Sequence, residues 1–221
     1  MDSLTHALTG ALIADALPFT KRLGHKAPLI AAIAGAAPDL DMAPALLAKF
    51  PWQSFSFTGL FDMGLVMRFH RAYTHSFFYM ALAAIPLGFL AWRWSGKKGN
   101  WLHWLVMLAL AFFSHTILDL TNPWGVRAWL PFTAERESWD LLPLMDPFIV
   151  AVGVGVFLLN HALRDSYPDP DLAVRRRYAW REKTAAFLNK RIGATAVGII
   201  GVLLVAGRIV QAYLSGAHWM V

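Results

Sequence analysis

The chain has 221 residues, of which 57% are hydrophobic and only 15% charged, with a formal net charge of +6 and no cysteine. Soluble domains carry roughly 25% charged residues, so the composition excludes an ordinary soluble fold and points to a membrane protein. Disulfides and thiolate metal sites are excluded as well, so any metal must be held by nitrogen and oxygen.

In chain order, residues 4–17 form a first apolar run that carries His6 and ends at Pro18. It has no basic region in front of it, so it does not read as a cleavable signal peptide. Residues 27–37 form a second run, rich in alanine, which stops at Pro38 because a proline disfavours helix in the residue before it. Both fall short of the ~20 residues that cross a hydrocarbon core. They read as half-helices packed against longer ones, with small residues permitting close approach. The next segment is looser, with Phe50, Trp52, Phe55, Phe57 and Phe61 among Pro, Ser and Gly, and suits the membrane interface.

Four stretches are long enough to span, residues 76–94, 101–120, 147–163 and 192–214. A polar loop at 122–147 exceeds ordinary connection length, which is often a sign of function. Residues 164–191 are the one hydrophilic block, with eight basic and four acidic residues. A loop lying on an anionic inner leaflet explains it without a nucleic-acid partner. The expected fold is an all-α polytopic membrane helical bundle, one domain over 1–221, with about four full transmembrane helices and two short N-terminal ones.

If these segments alternate in direction, fourteen of the twenty Lys and Arg residues fall on one side. The positive-inside rule puts that side in the cytoplasm. His6, Asp39, Asp41, His70, His75, His115, Asp119 and Asp146 then all fall at the other, non-cytoplasmic end. Ionisable groups at a membrane boundary cost free energy and are functional candidates by default.

His115 and Asp119 are four apart in a helical run, so both face one way and can chelate one ion. His70 and His75 are five apart, which is awkward on one straight helix. Either His70 precedes the helix that His75 begins, or they serve different metals. Asp146 before Pro147 reads equally as a ligand and as a helix N-cap. His6 taken alone is more often an interface residue, and His25, His103, His161 and His218 lie away from the set. Eight candidate ligands exceed the needs of one zinc ion and suggest two or more ions sharing a carboxylate. Ions about 3.5–4 Å apart suit phosphoester hydrolysis, in which water of lowered pKa attacks phosphorus. Asp41 is the candidate for orienting that water. Arg71 would stabilise charge on the phosphoryl group, and Arg127 and Arg136 would bind substrate charge.

Taken in order, these residues resemble one bacterial family. The opening Met1-Asp2-Ser3-Leu4-Thr5-His6 with Gly10 and Pro38-Asp39-Leu40-Asp41 are its first two motifs. They are followed by His70-Arg71-Ala72-Tyr73-Thr74-His75-Ser76, His115-Thr116-Ile117-Leu118-Asp119, Gly125, Pro131-Phe132 and Asp146-Pro147. The family is that of inner-membrane-associated metal-dependent hydrolases, also labelled LexA-binding. The resemblance implies a helical fold distantly similar to zinc-dependent phospholipase C and its nuclease relatives. By that likeness a divalent metal, zinc first with manganese and iron as alternatives, would be held by His6, Asp39, His70, His75, His115 and Asp119. Asp41 and Asp146 would be further ligands. The substrate class would be a lipid phosphoester, reached from membrane lipids at the outer face of the bacterial inner membrane. The soluble phospholipases use a processed N-terminal amine as a ligand, and nothing in the sequence shows such processing. The rival reading is a non-enzymatic membrane protein, either a metal-dependent transporter or a partner-binding scaffold or regulator. Apolar mid-span positions count against a transport path.

Overall fold

Asp2 opens the first helix. Its backbone is extended and its carboxylate accepts from the Thr5 N–H at 2.9 Å, satisfying one of the helix's orphan donors. Helix α1 (Ser3–Ala16) is followed by the single turn α2 (Thr20–Leu23) and by α3 (Ala27–Ala36), which carries Pro28 in its first turn, where no N–H is needed. From there a 3-10 turn, Ala37–Met42, carries the chain through Asp39 and Asp41. The computed structural model describes residues 1–24, 26–42, 70–165 and 193–216. A second 3-10 turn, Tyr73–His75, leads into α4 (Phe77–Trp94), then α5 (Trp101–Leu120), α6 (Pro147–Asp165) and α7 (Gly193–Leu214). Among the described residues there is no strand, only an isolated bridge between Val126 and Glu137.

The expected all-helical membrane bundle is what forms. Three helical stretches, Phe77–Trp94, Trp101–Leu120 and Thr195–Leu214, are long and apolar enough to cross a membrane. The fourth expected span falls on the helix Pro147–Asp165, whose described apolar stretch is Pro147–Asn160. Asn160 and then Arg164 and Asp165 dilute the end of that helix. The aromatic segment around Phe50–Phe61, most of the 164–191 block, and His25 and His218 lie outside the described residues, as does the side chain of His161.

The two short N-terminal helices are the middle of the bundle, because α3, α5, α6 and α7 all pack on α1. The α1–α3 crossing is backbone on backbone. A Cβ on Gly10 would stand 2.3 Å from the Ala31 carbonyl oxygen, and one on Gly35 would stand 2.4 Å from that of His6. Small residues are what permit such approach where lipid supplies no hydrophobic drive between helices. One apolar cluster, with Trp104 and Met107 at its centre, joins α3, α4 and α5. Another, with Leu12, Ile149 and Val205, joins α1 to α6 and α7.

The loop from Thr121 to Asp146 folds back as a cap over one end. Val126 and Ala128 are fully buried beside Leu120. The Ser76 hydroxyl donates to the Leu130 carbonyl, and the Leu141 and Leu142 N–H groups both reach the Thr121 carbonyl. At the opposite end the turn after α2 meets the turn before α5, with the side chain of Leu23 against Gly99.

Candidate metal centre

Under the capping loop, four separate stretches contribute imidazoles and carboxylates. Helix α1 supplies His6, the turn after α3 supplies Asp39 and Asp41, the turn before α4 supplies His70 and His75, and α5 supplies His115 and Asp119. Two groups have donor atoms within 4.8 Å of one another: His6, Asp39, His115 and Asp119, and Asp39, His70 and His75. Asp39 belongs to both. The His6 and His115 rings stack with centroids 3.6 Å apart, and His75 stands edge-on to His115 at 4.6 Å. The i, i+4 pair on α5 therefore shares a face, and His70 and His75 meet at one carboxylate because the second sits in a 3-10 turn ahead of the helix.

Hydrogen bonds outside the cluster orient its members. His115 donates from Nδ1 to the Gly35 carbonyl at 2.6 Å, which leaves a lone pair on Nε2. That Nε2 stands 3.5 Å from Asp39 Oδ1 and 3.8 Å from Asp119 Oδ2. His75 Nε2 stands 3.6 Å and 3.4 Å from the same two oxygens. His75 Nε2, His115 Nε2, Asp119 Oδ2 and His6 Nδ1 are all buried without a hydrogen-bond partner. Such atoms cost about 1–3 kcal/mol each when left unpaired, so the donor set fits a cation that would take up their lone pairs.

Ser3 donates to Asp39 Oδ2 at 2.5 Å, and Thr74 donates to Asp41 Oδ2 at 2.5 Å. Burial alone would raise the pKa of Asp39. The neighbouring His75 and His115 imidazoles and the Ser3 hydroxyl outweigh it and bring the carboxyl down to about 2. Asp41 is likewise held well below the usual carboxylate range, its burial outweighed by hydrogen bonds from His70, His75 and Thr74.

Arg71 is buried in a left-handed backbone conformation, with φ of 62°. Its Nη1 donates to Asn122 Oδ1 at 2.8 Å and its Nη2 to Asp119 Oδ1 at 3.2 Å. Its own N–H donates to Asp41 Oδ2 at 3.1 Å, and its carbonyl accepts from the Arg127 N–H at 3.0 Å. Burial pulls its pKa down to about 10, which leaves it protonated near neutral pH. Arg127 thus stands beside Arg71 with a buried Nε that has no partner. Arg136 points to backbone carbonyls of Trp124, Gly125 and His70, at 3.2–3.3 Å, and braces the capping loop.

Asp146 is not brought into either group. Its Oδ1 accepts from the N–H groups of Phe148 and Ile149 as the N-cap of α6, and its Oδ2 pairs with Arg208 Nη2 at 3.0 Å. Both oxygens are engaged, so of its two sequence readings the geometry matches the cap. His103 stacks on Phe19, away from the cluster.

Sequence reasoning missed Asn122, which bonds both Asp119 and Arg71. A signal was present, since Asn122 follows Asp119 by three and so continues its helix face. It also missed the Met1 amine, which donates to Asp119 Oδ1. Burial, with Arg71 alongside, lowers the pKa of that amine to about 4. The one signal for that contact was the likeness to the soluble phospholipases, in which an N-terminal amine is a ligand.

Fold and site together define a helical membrane protein with a buried His/Asp cluster, suited to metal, at one end of its bundle. The chain belongs to the YdjM inner membrane protein family, whose model matches residues 1–214. It is 26% identical over 160 residues to the uncharacterized protein YfhP of Bacillus subtilis (strain 168), covering 67% of this chain and 43% of that relative. The chain therefore matches less than half the length of that relative. No solved structure matches. The family description names a membrane and no reaction, and neither match carries a hydrolase or phospholipase C description.

Proposed function

We propose that the protein is a membrane-embedded, metal-dependent hydrolase of a lipid-type phosphoester, with its centre on the non-cytoplasmic face. One observation carries this reading: buried imidazole nitrogens without hydrogen-bond partners gathered around Asp39 and Asp119, with the Arg71 guanidinium 3.2 Å from Asp119 Oδ2. The two ligand groups that share Asp39 support two ions with that carboxylate in common, His6, His115 and Asp119 serving one and His70 and His75 the other. A divalent ion held there supplies Lewis acidity toward a phosphoryl oxygen and lowers the pKa of water.

The chain's own residues do the rest. Asp41 accepts from Thr74, lies 2.7 Å from His70 Nδ1 and fixes that ring. Its depressed proton affinity suits orienting a water more than retaining its proton. Arg71, held by Asn122, meets negative charge as it develops on the phosphoryl group, and Arg127 offers a further donor nearby. The sidedness is supported by Arg22, Lys26, Lys97 and Lys98, which belong to the turns at the end opposite the cluster.

Elemental analysis of the purified protein, paired with a phosphoester panel that includes lipids, tests this. Zinc, manganese or iron should be bound, be lost in His115→Ala, and be required for turnover. Protein without metal above background, unchanged by His115→Ala, ends the reading. Metal without turnover on any phosphoester or acyl ester favours the non-enzymatic alternative.

A further inference from the structure

Below the cluster the bundle carries an apolar groove of about 350 Å³. Its walls come from three helices, with Ile33 and Ala37 at α3, Leu87 and Trp94 on α4, and Leu108 and Phe112 on α5. It lies within the size range of small-molecule sites, about 300–1,000 Å³. Two features tie it to the metal centre. On α5, Leu108, Phe112, His115 and Asp119 recur at helical spacing along one face, so the groove's wall runs upward into the ligands. On the α3 side, Ala37 lines the groove and begins the very turn that carries Asp39. The groove's foot is at Trp94, whose ring lies under the Lys26 ammonium at 5.4 Å, an arrangement suited to the far membrane–water boundary. Ile33 and Leu87 are also open to the bundle's surroundings, at 57% and 42% exposure, on a surface built from membrane-crossing helices.

We propose that this groove holds one acyl chain of a membrane lipid whose headgroup sits at the His/Asp centre. The proposal rests on the phosphoester reading above for the headgroup, and on the groove alone for the chain. A groove whose α3 and α5 walls continue to the ligands, and which opens on a lipid-facing seam, suits a substrate with a long single hydrocarbon arm. Its apolar lining offers nothing to a soluble phosphoester.

The test uses full-length protein in vesicles doped with a phospholipid that carries a photoreactive diazirine on one acyl chain, with adducts mapped by mass spectrometry. Adducts should concentrate on the stretches holding Ile33 and Leu87, and should be lost in Ile33→Trp and in Leu87→Trp. Metal content should be unchanged in both, which shows that each variant is folded. Adducts spread equally over the exposed face of α7 at Leu203 and Val210 would mean annular lipid only, and would overturn the proposal. So would adducts that both variants leave untouched, or none at the groove in the unaltered protein, which would mean that protein fills it. Failure of the hydrolase reading is scored separately: groove labelling that persists with no phosphoester turned over removes the reaction and leaves the lipid site.

Discussion

Helix α1 separates two halves of the bundle, of which one carries the ligands and the other covers them. Toward α3 and α5 backbone and polar contacts add to an apolar cluster that includes Ala14, Ile30 and Met107: Gly10 and Gly35 leave no room for a methyl, and His115 bonds a main-chain carbonyl. Toward α6 and α7 a close backbone approach recurs, since a Cβ on Gly198 would stand 2.5 Å from the Ala16 nitrogen, but apolar side chains such as Leu12, Ile149 and Val205 fill the rest, with the Asp146–Arg208 pair beside them. The half that must bring ligands from distant stretches within a few ångströms has no slack. The half that covers it is tight at Gly153, Gly198 and Gly201 and open at Gly155 and Gly207.

The sharpest way to break that contrast is Gly35→Ala. The added carbon would fall 2.4 Å from the His6 carbonyl oxygen, and the same residue's carbonyl orients His115. The expected cost is about 3 kcal/mol or more, read as a lowered thermal midpoint in detergent, together with reduced metal content. A variant that melts and binds metal like the unaltered protein would show that the crossing is not the constraint described.

Asp146→Ala probes the other half. It removes a helix cap and leaves Arg208 without its carboxylate, a loss of about 2 kcal/mol with metal content unchanged. If metal falls instead, Asp146 belongs to the centre.

Acid should act on the cluster half first. The carboxyl of Asp39 drops from its ordinary 3.8 to about 2 in the fold, so the unfolded chain binds more protons between those values. Its stabilising contribution is full above the ordinary value and disappears as pH falls through the lowered one. For metal-free protein this is on the order of 2 kcal/mol, and Asp39→Asn should flatten that limb of the melting curve. The smallest effect is expected of Gly207→Ala, where nothing lies within reach of the new carbon. It should leave the midpoint unchanged or raise it, by about 1 kcal/mol at most.

Much of this arrangement was legible in local pattern. Apolar runs marked the helices, Pro38 marked the end of α3, and the spacing of His115 and Asp119 marked a shared face. What local pattern could not carry is partnership across distance. Asp146 is a cap rather than a ligand because Arg208, 62 residues on, and two adjacent N–H groups claim its oxygens. Arg71 reaches Asp119 because its backbone turns left-handed, and that turn is stabilised by Asp41 and Arg127 from two other stretches.

The gathered ligands have an order in time as well as in space. All of them, from His6 to Asp119, precede the last two described helices. As the polypeptide leaves the ribosome, the complete donor set is therefore in existence before α6 and α7 have been made. The final hairpin arrives as a lid on α1 rather than as a source of chemistry. A ribosome stalled within that hairpin would display every cluster residue on a half-covered α1.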